Sequence, residues 1–158
     1  MSTTTEPSQP TGTTTVVTSY IKASAMPEAS DCPCGRLHHR KPLAYQNCCG
    51  RWLESDVPAP DAECLMRSRY SAFVLERRDY LLRTWHPSTR PAELVFEPGV
   101  KWLGLEVRQH RLLDESHAEV EFIARHKPAG APAVRLHERS RFVLDNGSWY
   151  YLGGDFLE

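Results

Sequence analysis

Four of the five cysteines in this 158-residue chain lie in one short segment. Cys32 and Cys34 open the segment in the sequence DCPCG, and Cys48 and Cys49 close it in NCCG. Structural zinc sites use four nitrogen or sulfur ligands in a tetrahedral arrangement, and two short cysteine clusters separated by one loop supply four thiolates. The spacing therefore predicts one structural zinc site formed by these four cysteines.

Other chemistries of clustered cysteines fit this segment less well. A disulfide within CPC, or between the adjacent cysteines of NCCG, would strain the backbone, although two bridges from the first pair to the second are geometrically possible. A catalytic thiol pair commonly has two residues between its cysteines at a helix N-terminus, and neither pair has that spacing. His38 or His39, in the loop between the clusters, replacing one sulfur is the alternative metal-ligand set.

The first 30 residues have a composition unlike that of a folded domain. They are rich in Thr, Ser and Pro and contain neither a basic leader region nor a long apolar run, so they resemble neither a signal peptide nor a membrane span. We predict a disordered tail over residues 1–30. We also expect a cytoplasmic protein that does not contact membranes, because an export signal is missing and thiols stay reduced in the cytosol.

Two helices are predicted after the proline-rich sequence VPAPD. Asp61 can cap the first helix, which carries Arg69 within its apolar stripe. The second helix runs from Asp79 to about Trp85 and ends before Pro87, because a residue preceding proline is pushed out of the helical region. The stripe of the first helix repeats at intervals of three and four and consists of Ala62, Leu65, Met66, Tyr70 and Phe73.

Beyond Gly99 the apolar residues alternate, which predicts four antiparallel strands in a meander. Asp145-Asn146-Gly147 predicts a tight hairpin into the last strand, which begins near Trp149. Helices followed by a one-faced antiparallel sheet give an α+β fold of two layers. The residues expected on the core face are Leu103, Leu105 and Val107, then Ala118, Val120, Phe122 and Ala124, then Val134, Leu136, Phe142 and Leu144.

The cysteine segment, with CPCG, a loop containing Tyr45 and then CCG, resembles the SEC-C zinc motif, although its loop is longer by five residues around His38 to Pro42. The blocks that follow are similar, in sequence and in order, to the YchJ family of bacterial proteins; they are LMRSRYSAFVLERRDYLLRTWHPSTRP, WLGLEV, VEFIARHK, LHERSRF and GSWYYLGGD. This resemblance covers the chain from Asp31 to its end. It implies a nuclear transport factor 2-like (NTF2-like) cone, in which the sheet wraps around the helices, and it implies no reaction.

These features divide the chain into a disordered tail at 1–30, a SEC-C zinc motif at 31–55 and an NTF2-like domain at 61–158. A chain of this length is sufficient for one ordinary domain with a small appendage. The bound zinc would staple the appendage, which is too small to form a core of its own.

One carboxylate falls on the apolar face of the third strand. Counting from Leu136 to Phe142 puts Glu138 and Ser140 toward the core, where a carboxylate must be paired or neutral. We predict Arg69 as its partner. The pair either closes one end of the core or belongs to a ligand pocket, whose candidate residues are Arg69, Tyr70, Trp85, His86 and Glu138.

Two classes of function remain. In the first, the zinc element presents a local basic surface to a protein, ribosomal or nucleic-acid partner; its members are Arg36, His38, His39, Arg40, Lys41 and Arg51. The formal net charge of −1 means that such a surface must be local. In the second, the cone pocket binds a small ligand or carries out dehydratase-like or isomerase-like chemistry with His86 as general base, by analogy of fold alone. We favour the non-catalytic binding protein.

Overall fold

The computed structural model describes residues 30–158, so the predicted disordered tail lies outside the described residues except for Ser30. The cysteine segment forms β1 (Leu37–His38), β2 (Lys41–Pro42), a 3-10 helix (Tyr45–Asn47) and α1 (Gly50–Leu53). It is followed by α2 (Ala62–Val74), α3 (Arg78–Arg83), β3 (Lys101–Leu112), β4 (His117–Lys127), β5 (Val134–Asp145) and β6 (Ser148–Phe156). Among these residues, none of the helices has the length and apolar character that crossing a membrane requires.

Helix α2 forms where its capping residue and apolar spacing predict it. Asp61 has extended backbone angles, and its Oδ1 accepts a hydrogen bond of 2.7 Å from the backbone N–H of Cys64. Helix α3 is shorter than predicted because Trp85 leaves the helix and pairs with Tyr151 of β6 in a parallel bridge. This pairing satisfies backbone groups that a further helical turn would otherwise use.

The four long strands form one antiparallel sheet in the order β3-β4-β5-β6, as the meander predicts. Asn146 and Gly147 both have positive φ and connect Asp145 directly to its cross-strand partner Ser148, which makes a two-residue hairpin. The core face of β4 is fully buried under the helices, and its members are Ala118, Val120, Phe122 and Ala124.

A β-bulge changes the predicted face of β3. The register shifts between Trp102 and Gly104, so Trp102 packs edge-on against Tyr70 of α2 while Leu103 is 54% exposed. The predicted core position of Leu103 is therefore wrong, because the extra residue of the bulge inverts the alternation on one side of it. Val134, at the start of β5, is also exposed rather than in the core.

One hydrophobic core runs through both the cysteine segment and the cone. The four clustered cysteines belong to the same buried cluster as Leu65, Tyr70 and Tyr80 of the helices and Phe142 of the sheet. The cysteine segment is thus packed against the cone and shares its core, which links the stability of the two parts.

Candidate metal centre and cavity

The four predicted metal ligands lie together in the structure. Cys32, Cys34, Cys48 and Cys49 are all buried, and their sulfur atoms lie within 4.8 Å of one another, with the Sγ atoms of Cys34 and Cys48 separated by 3.6 Å. A tetrahedral site with metal–sulfur bonds of about 2.3 Å has sulfur–sulfur separations of about 3.8 Å. The donor set therefore fits a metal ion held by four sulfurs, with no position left for substrate.

The backbone around the cysteines brings the two clusters together. Gly35, at φ 68°, closes a tight turn in which its N–H donates to the carbonyl of Cys32 at 3.0 Å. The Cys32 N–H donates to Leu43 O at 2.8 Å, which joins the first cluster to the end of the hairpin. At Gly50 a Cβ would lie 2.7 Å from the carbonyl oxygen of Tyr45, so the glycine after the second cluster allows α1 to pack closely.

The four thiols of this cluster cannot all ionise freely, because each one affects the pKa of its neighbours. Hydrogen bonding to Cys34 lowers the pKa of the Cys32 thiol, whereas hydrogen bonding to Cys32 raises the pKa of the Cys49 thiol. Four neighbouring buried thiolates repel one another, and a divalent cation removes the conflict because it favours the thiolate form of each ligand. Ser71 Oγ of α2 lies 3.7 Å from Cys32 Sγ, where its hydroxyl can donate to a thiolate and orient it.

The extra residues of the SEC-C loop form the small hairpin of β1 and β2. Leu37 pairs with Pro42 and His38 with Lys41, and the turn residues His39 and Arg40 both have left-handed backbone angles, at φ 49° and 64°. Neither histidine of this loop joins the sulfur cluster in the described chain. The alternative ligand set with one histidine is therefore not the one that the structure forms.

Polar contacts attach the cysteine segment to α2. Arg36 pairs with Glu63 at 3.3 Å, and its Nη1 donates to Cys64 Sγ, also at 3.3 Å. Arg67 donates to the same Glu63 carboxylate at 2.8 Å and reaches the carbonyl of Cys34 at 3.4 Å. Cys64 thus packs beside the sulfur cluster and does not belong to it, and burial raises the pKa of its thiol.

A cavity of about 140 Å³ lies between α2 and the concave face of the sheet. Four of the five candidate pocket residues, Arg69, Tyr70, Trp85 and Glu138, line it. Aromatic and other apolar side chains from α2 and the sheet complete the wall, and they are Met66, Phe73, Trp102, Phe122, Ala124, Phe142 and Tyr151, with Ser140 as an additional polar group.

Arg69 is buried at this cavity without the partner predicted for it. Its Nη1 donates to the Leu81 carbonyl and to Thr84 Oγ1, both at 2.7 Å. The guanidinium carbon lies 4.5 Å from the ring centre of Tyr151 and 5.2 Å from that of Trp85, which are cation–π distances. Burial lowers the pKa of Arg69 to about 10, so the guanidinium stays charged at neutral pH.

Glu138 is held by hydroxyl groups rather than by Arg69. Its Oε1 accepts from Ser140 Oγ at 2.8 Å and from Tyr151 OH at 3.1 Å. The predicted direct ion pair is absent among residues 30–158, because each charged group finds neutral hydrogen-bond partners on its own side of the cavity. The two charges still interact at longer range across the cavity.

His86 lies outside the cavity, contrary to the sequence interpretation. The segment from Thr84 to His86 pairs with β6, with His86 N donating to Tyr151 O at 2.8 Å, so consecutive side chains point to opposite sides. Trp85 points inward, whereas the His86 ring lies 3.2 Å from Asp145 and 2.6 Å from Ser88. His86 is therefore not placed to act as a general base in this cavity.

Two residues that adjoin Glu138, Tyr151 and Gly154, were not among the predicted pocket residues. Tyr151, which contacts both charged groups, would follow from extending the alternation of β6 inward. At Gly154 a Cβ would collide with the Glu138 carboxylate, so this glycine leaves the space that the carboxylate occupies. Two consecutive glycines inside a strand are the signal for such a close approach.

Comparison with known proteins agrees with this architecture. The family model described as the YchJ middle NTF2-like domain matches residues 61–154. A UPF0225 protein of Polaromonas sp. strain JS666 is 66% identical over 138 residues, spanning 85% of this chain and 99% of the relative. A UPF0225 protein of Bordetella pertussis is 57% identical over 129 residues, spanning 78% and 91% of the two chains.

Two solved structures share the fold and are described as SEC-C motif-containing proteins. The solution structure from Rhodopseudomonas palustris has a TM-score of 0.70 at 34% identity, covering 82% of this chain and 100% of the other. The crystal structure from Psychrobacter arcticus has a TM-score of 0.68 at 32% identity, covering 83% and 85%. The predicted α+β, NTF2-like fold and the predicted family are confirmed.

Proposed function

This chain belongs to the YchJ family, and we propose that it is a non-catalytic binding module in which a structural zinc ion holds a basic hairpin ready for a nucleic-acid partner. The observation that carries this proposal is the exposed hairpin of β1 and β2, which projects between the two halves of a closed four-cysteine site. Zinc is favoured because an all-thiolate tetrahedral site suits it and supplies folding energy without catalysis. We also propose the cytosol as its compartment, where these thiols stay reduced.

The charge around the hairpin supports an anionic partner. Arg40, Lys41 and Arg51 are exposed and form no ion pair with any residue of 30–158. Arg36, which the sequence grouped with them, is instead engaged with Glu63 and is excluded from the proposed surface. The remaining three cations and the two exposed histidines offer several donors to phosphate oxygens.

The turn residues of the hairpin support a binding role for its tip. His39 and Arg40 occupy left-handed backbone positions, where a residue other than glycine or asparagine costs about 1–2 kcal/mol. An Asn-Gly turn would avoid this cost. The chain keeps an imidazole and a guanidinium at these positions instead, which is expected where the side chains themselves make contacts with a partner.

The test is the binding of a fluorescein-labelled single-stranded RNA to the zinc-loaded protein, followed by fluorescence anisotropy at several salt concentrations. Three phosphate contacts predict a slope of about −2 in a plot of log K against log salt concentration. The double variant Arg40→Ala/Lys41→Ala is expected to bind roughly tenfold more weakly and to reduce the slope to about −0.7.

The matched control removes the same charge elsewhere. Arg125 and Arg135 are exposed, face each other on β4 and β5, and lie on the outer surface of the sheet. The variant Arg125→Ala/Arg135→Ala should bind RNA as the unchanged protein does. An equal loss in both double variants, or no measurable RNA binding by the unchanged protein at low salt, would contradict the proposed hairpin surface.

A further inference from the structure

The cavity between α2 and the sheet contains a buried cation, Arg69, that no carboxylate of residues 30–158 contacts directly. We propose that this cavity binds a small aromatic acid, with the carboxylate of the ligand on Arg69 and a hydroxyl or amino group of the ligand donating to Glu138. This inference is independent of the zinc element and of the RNA surface proposed above. It rests on the donors and acceptors that remain unused at the cavity and on the size and character of its wall.

Arg69 presents unused donors. Only its Nη1 hydrogen bonds to the protein, so Nε and Nη2 have no partner among residues 30–158. These two nitrogens form the side of a guanidinium that can bind a carboxylate through two parallel hydrogen bonds. Packing against Tyr151 and Trp85 fixes the orientation of the guanidinium before a ligand arrives, which lowers the ordering cost of binding.

A second donor without a partner belongs to Trp85, which lines the cavity and packs against the Arg69 guanidinium. The indole Nε1 of Trp85 is buried and forms no hydrogen bond within the described part of the chain. A buried donor of this kind usually has a partner, because leaving it unpaired costs about 1–3 kcal/mol. An acceptor group of a ligand near Arg69, such as a carboxylate oxygen, is the chemistry that would satisfy both residues.

Glu138 supplies the complementary acceptor. Its Oε1 is occupied by the hydroxyls of Ser140 and Tyr151, whereas Oε2 accepts no hydrogen bond from residues 30–158. A ligand that carried only a carboxylate would meet the negative charge of Glu138 without compensation. A ligand hydroxyl or amino group that donates to Oε2 offsets that repulsion, and this selects a ligand with an acid at one end and a donor at the other.

The wall of the cavity indicates an aromatic body for the ligand. The volume of about 140 Å³ is close to that of an apolar protein cavity that holds benzene, which is about 150 Å³. Aromatic side chains line it, among them Tyr70, Phe73, Trp102 and Phe122. Such walls favour a flat ring, since ring edges and faces pack well against them.

The experiment is a titration of the zinc-loaded protein with 4-hydroxybenzoate, followed by the four tryptophan indole N–H signals in ¹H–¹⁵N spectra. Trp85 and Trp102 line the cavity, whereas Trp52 and Trp149 do not. The signals of Trp85 and Trp102 should shift with a Kd of about 1 mM or tighter. Benzoate, which lacks the donor, and phenol, which lacks the carboxylate, should each bind at least tenfold more weakly.

Two variants complete the test. Arg69→Lys keeps the charge but loses the planar fork, so it should weaken 4-hydroxybenzoate binding at least tenfold, while Arg83→Lys at the surface should not change it. Ala124→Leu fills the cavity and should abolish the shifts in a chain whose other signals stay in place, which covers the case that Arg69→Lys fails to fold. The proposal is overturned if phenol binds as tightly as 4-hydroxybenzoate, if Ala124→Leu binds normally, or if a tenfold higher ligand concentration than this Kd gives no shifts at Trp85 and Trp102.

Discussion

The cysteine cluster and the cavity are two polar sites in one hydrophobic core. They differ in whether the ligand or hydrogen-bonding atoms of the site are all engaged. At the cluster, four sulfurs face one another closely enough to surround a metal ion completely. At the cavity, Arg69 and Glu138 each bond to neutral groups of the protein, and each keeps hydrogen-bonding atoms without a partner among residues 30–158. A closed donor set is suited to holding structure together, whereas an incomplete set beside a cavity is suited to binding.

The two sites also differ in how they are connected to the rest of the chain. The cluster depends on contacts within residues 31–50, reinforced by Ser71 and Arg67 of α2. The cavity depends on side chains from α2, from the segment after α3 and from all four long strands of the sheet. The spacing of the cysteines is therefore enough to predict the cluster, whereas the cavity forms only when the whole cone is folded.

Replacing one sulfur should have the largest effect and tests whether the cluster and the cone share stability. Cys34→Ser is expected to lose the metal and to lower the free energy of unfolding by roughly 4 kcal/mol or more, because metal binding contributes directly to folding. Elemental analysis with native mass spectrometry measures the metal, which we expect to be one zinc ion per chain. A thermal melt measures the stability.

Cys64→Ser is the matched control for this change, because Cys64 lies outside the sulfur cluster and should leave the metal content unchanged. Since the four cysteines pack in the same core as α2, Cys34→Ser should also reduce hydrogen-exchange protection along that helix. Full protection of α2 after the metal is lost would show that the two regions are energetically separate.

Removing the buried guanidinium of Arg69 should have the next largest effect on stability. Arg69→Met leaves the Leu81 carbonyl without its charged donor and removes two cation–π contacts, so we expect a loss of about 2–4 kcal/mol in the free energy of unfolding. Arg83→Met is the control, since the Arg83 side chain is 46% exposed and packs over Tyr80 in a similar way. Urea unfolding of both variants measures the difference, and equal losses would mean that burial of Arg69 does not matter for stability.

Adding a methyl group beside the Glu138 carboxylate should have a smaller effect on stability. Gly154→Ala places its Cβ against Glu138 and should cost roughly 1–2 kcal/mol while displacing the carboxylate from Tyr151. Gly153→Ala, one residue earlier, meets only the flexible end of Arg141 at 3.4 Å and should change stability by about 0.5 kcal/mol or less. Similar melts for the two variants would argue against a fixed position for Glu138.

The half-buried pair of Glu121 and His137 on the outer face of the sheet should have the smallest effect, and it provides a baseline for the two buried sites. A hydrogen bond from His137 at 2.8 Å lowers the pKa of Glu121 below its usual value of 4.5. A carboxyl group with a lowered pKa stabilises the folded state above pH 4.5, and this contribution is lost as the pH falls through the folded-state pKa. Glu121→Gln should therefore melt slightly lower near pH 7 and converge with the unchanged protein below pH 4; a constant difference across that range would contradict this account.

Several elements could be predicted because neighbouring residues specify them. Asp61 followed by apolar residues at intervals of three and four was enough for α2, and Asn146-Gly147 was enough for the last hairpin. The exposed position of Leu103 could not be predicted, because a β-bulge is set by the pairing of β3 with β4. The position of His86 likewise depends on the pairing of its segment with a strand about 65 residues further along the chain.

The sequence by itself determined the cysteine set, the helix and strand order and the family, because these depend on residue types at short spacings. Only the tertiary structure decided how the buried charges are satisfied. Arg69 lies nearer to Thr84 and the Leu81 carbonyl than to any carboxylate of the described chain, and Glu138 lies nearer to Ser140 and Tyr151. Which of several polar groups becomes the partner of a buried charge depends on ångström-scale distances between elements that are far apart in sequence, and hydrophobic alternation specifies the face of a strand but not those distances.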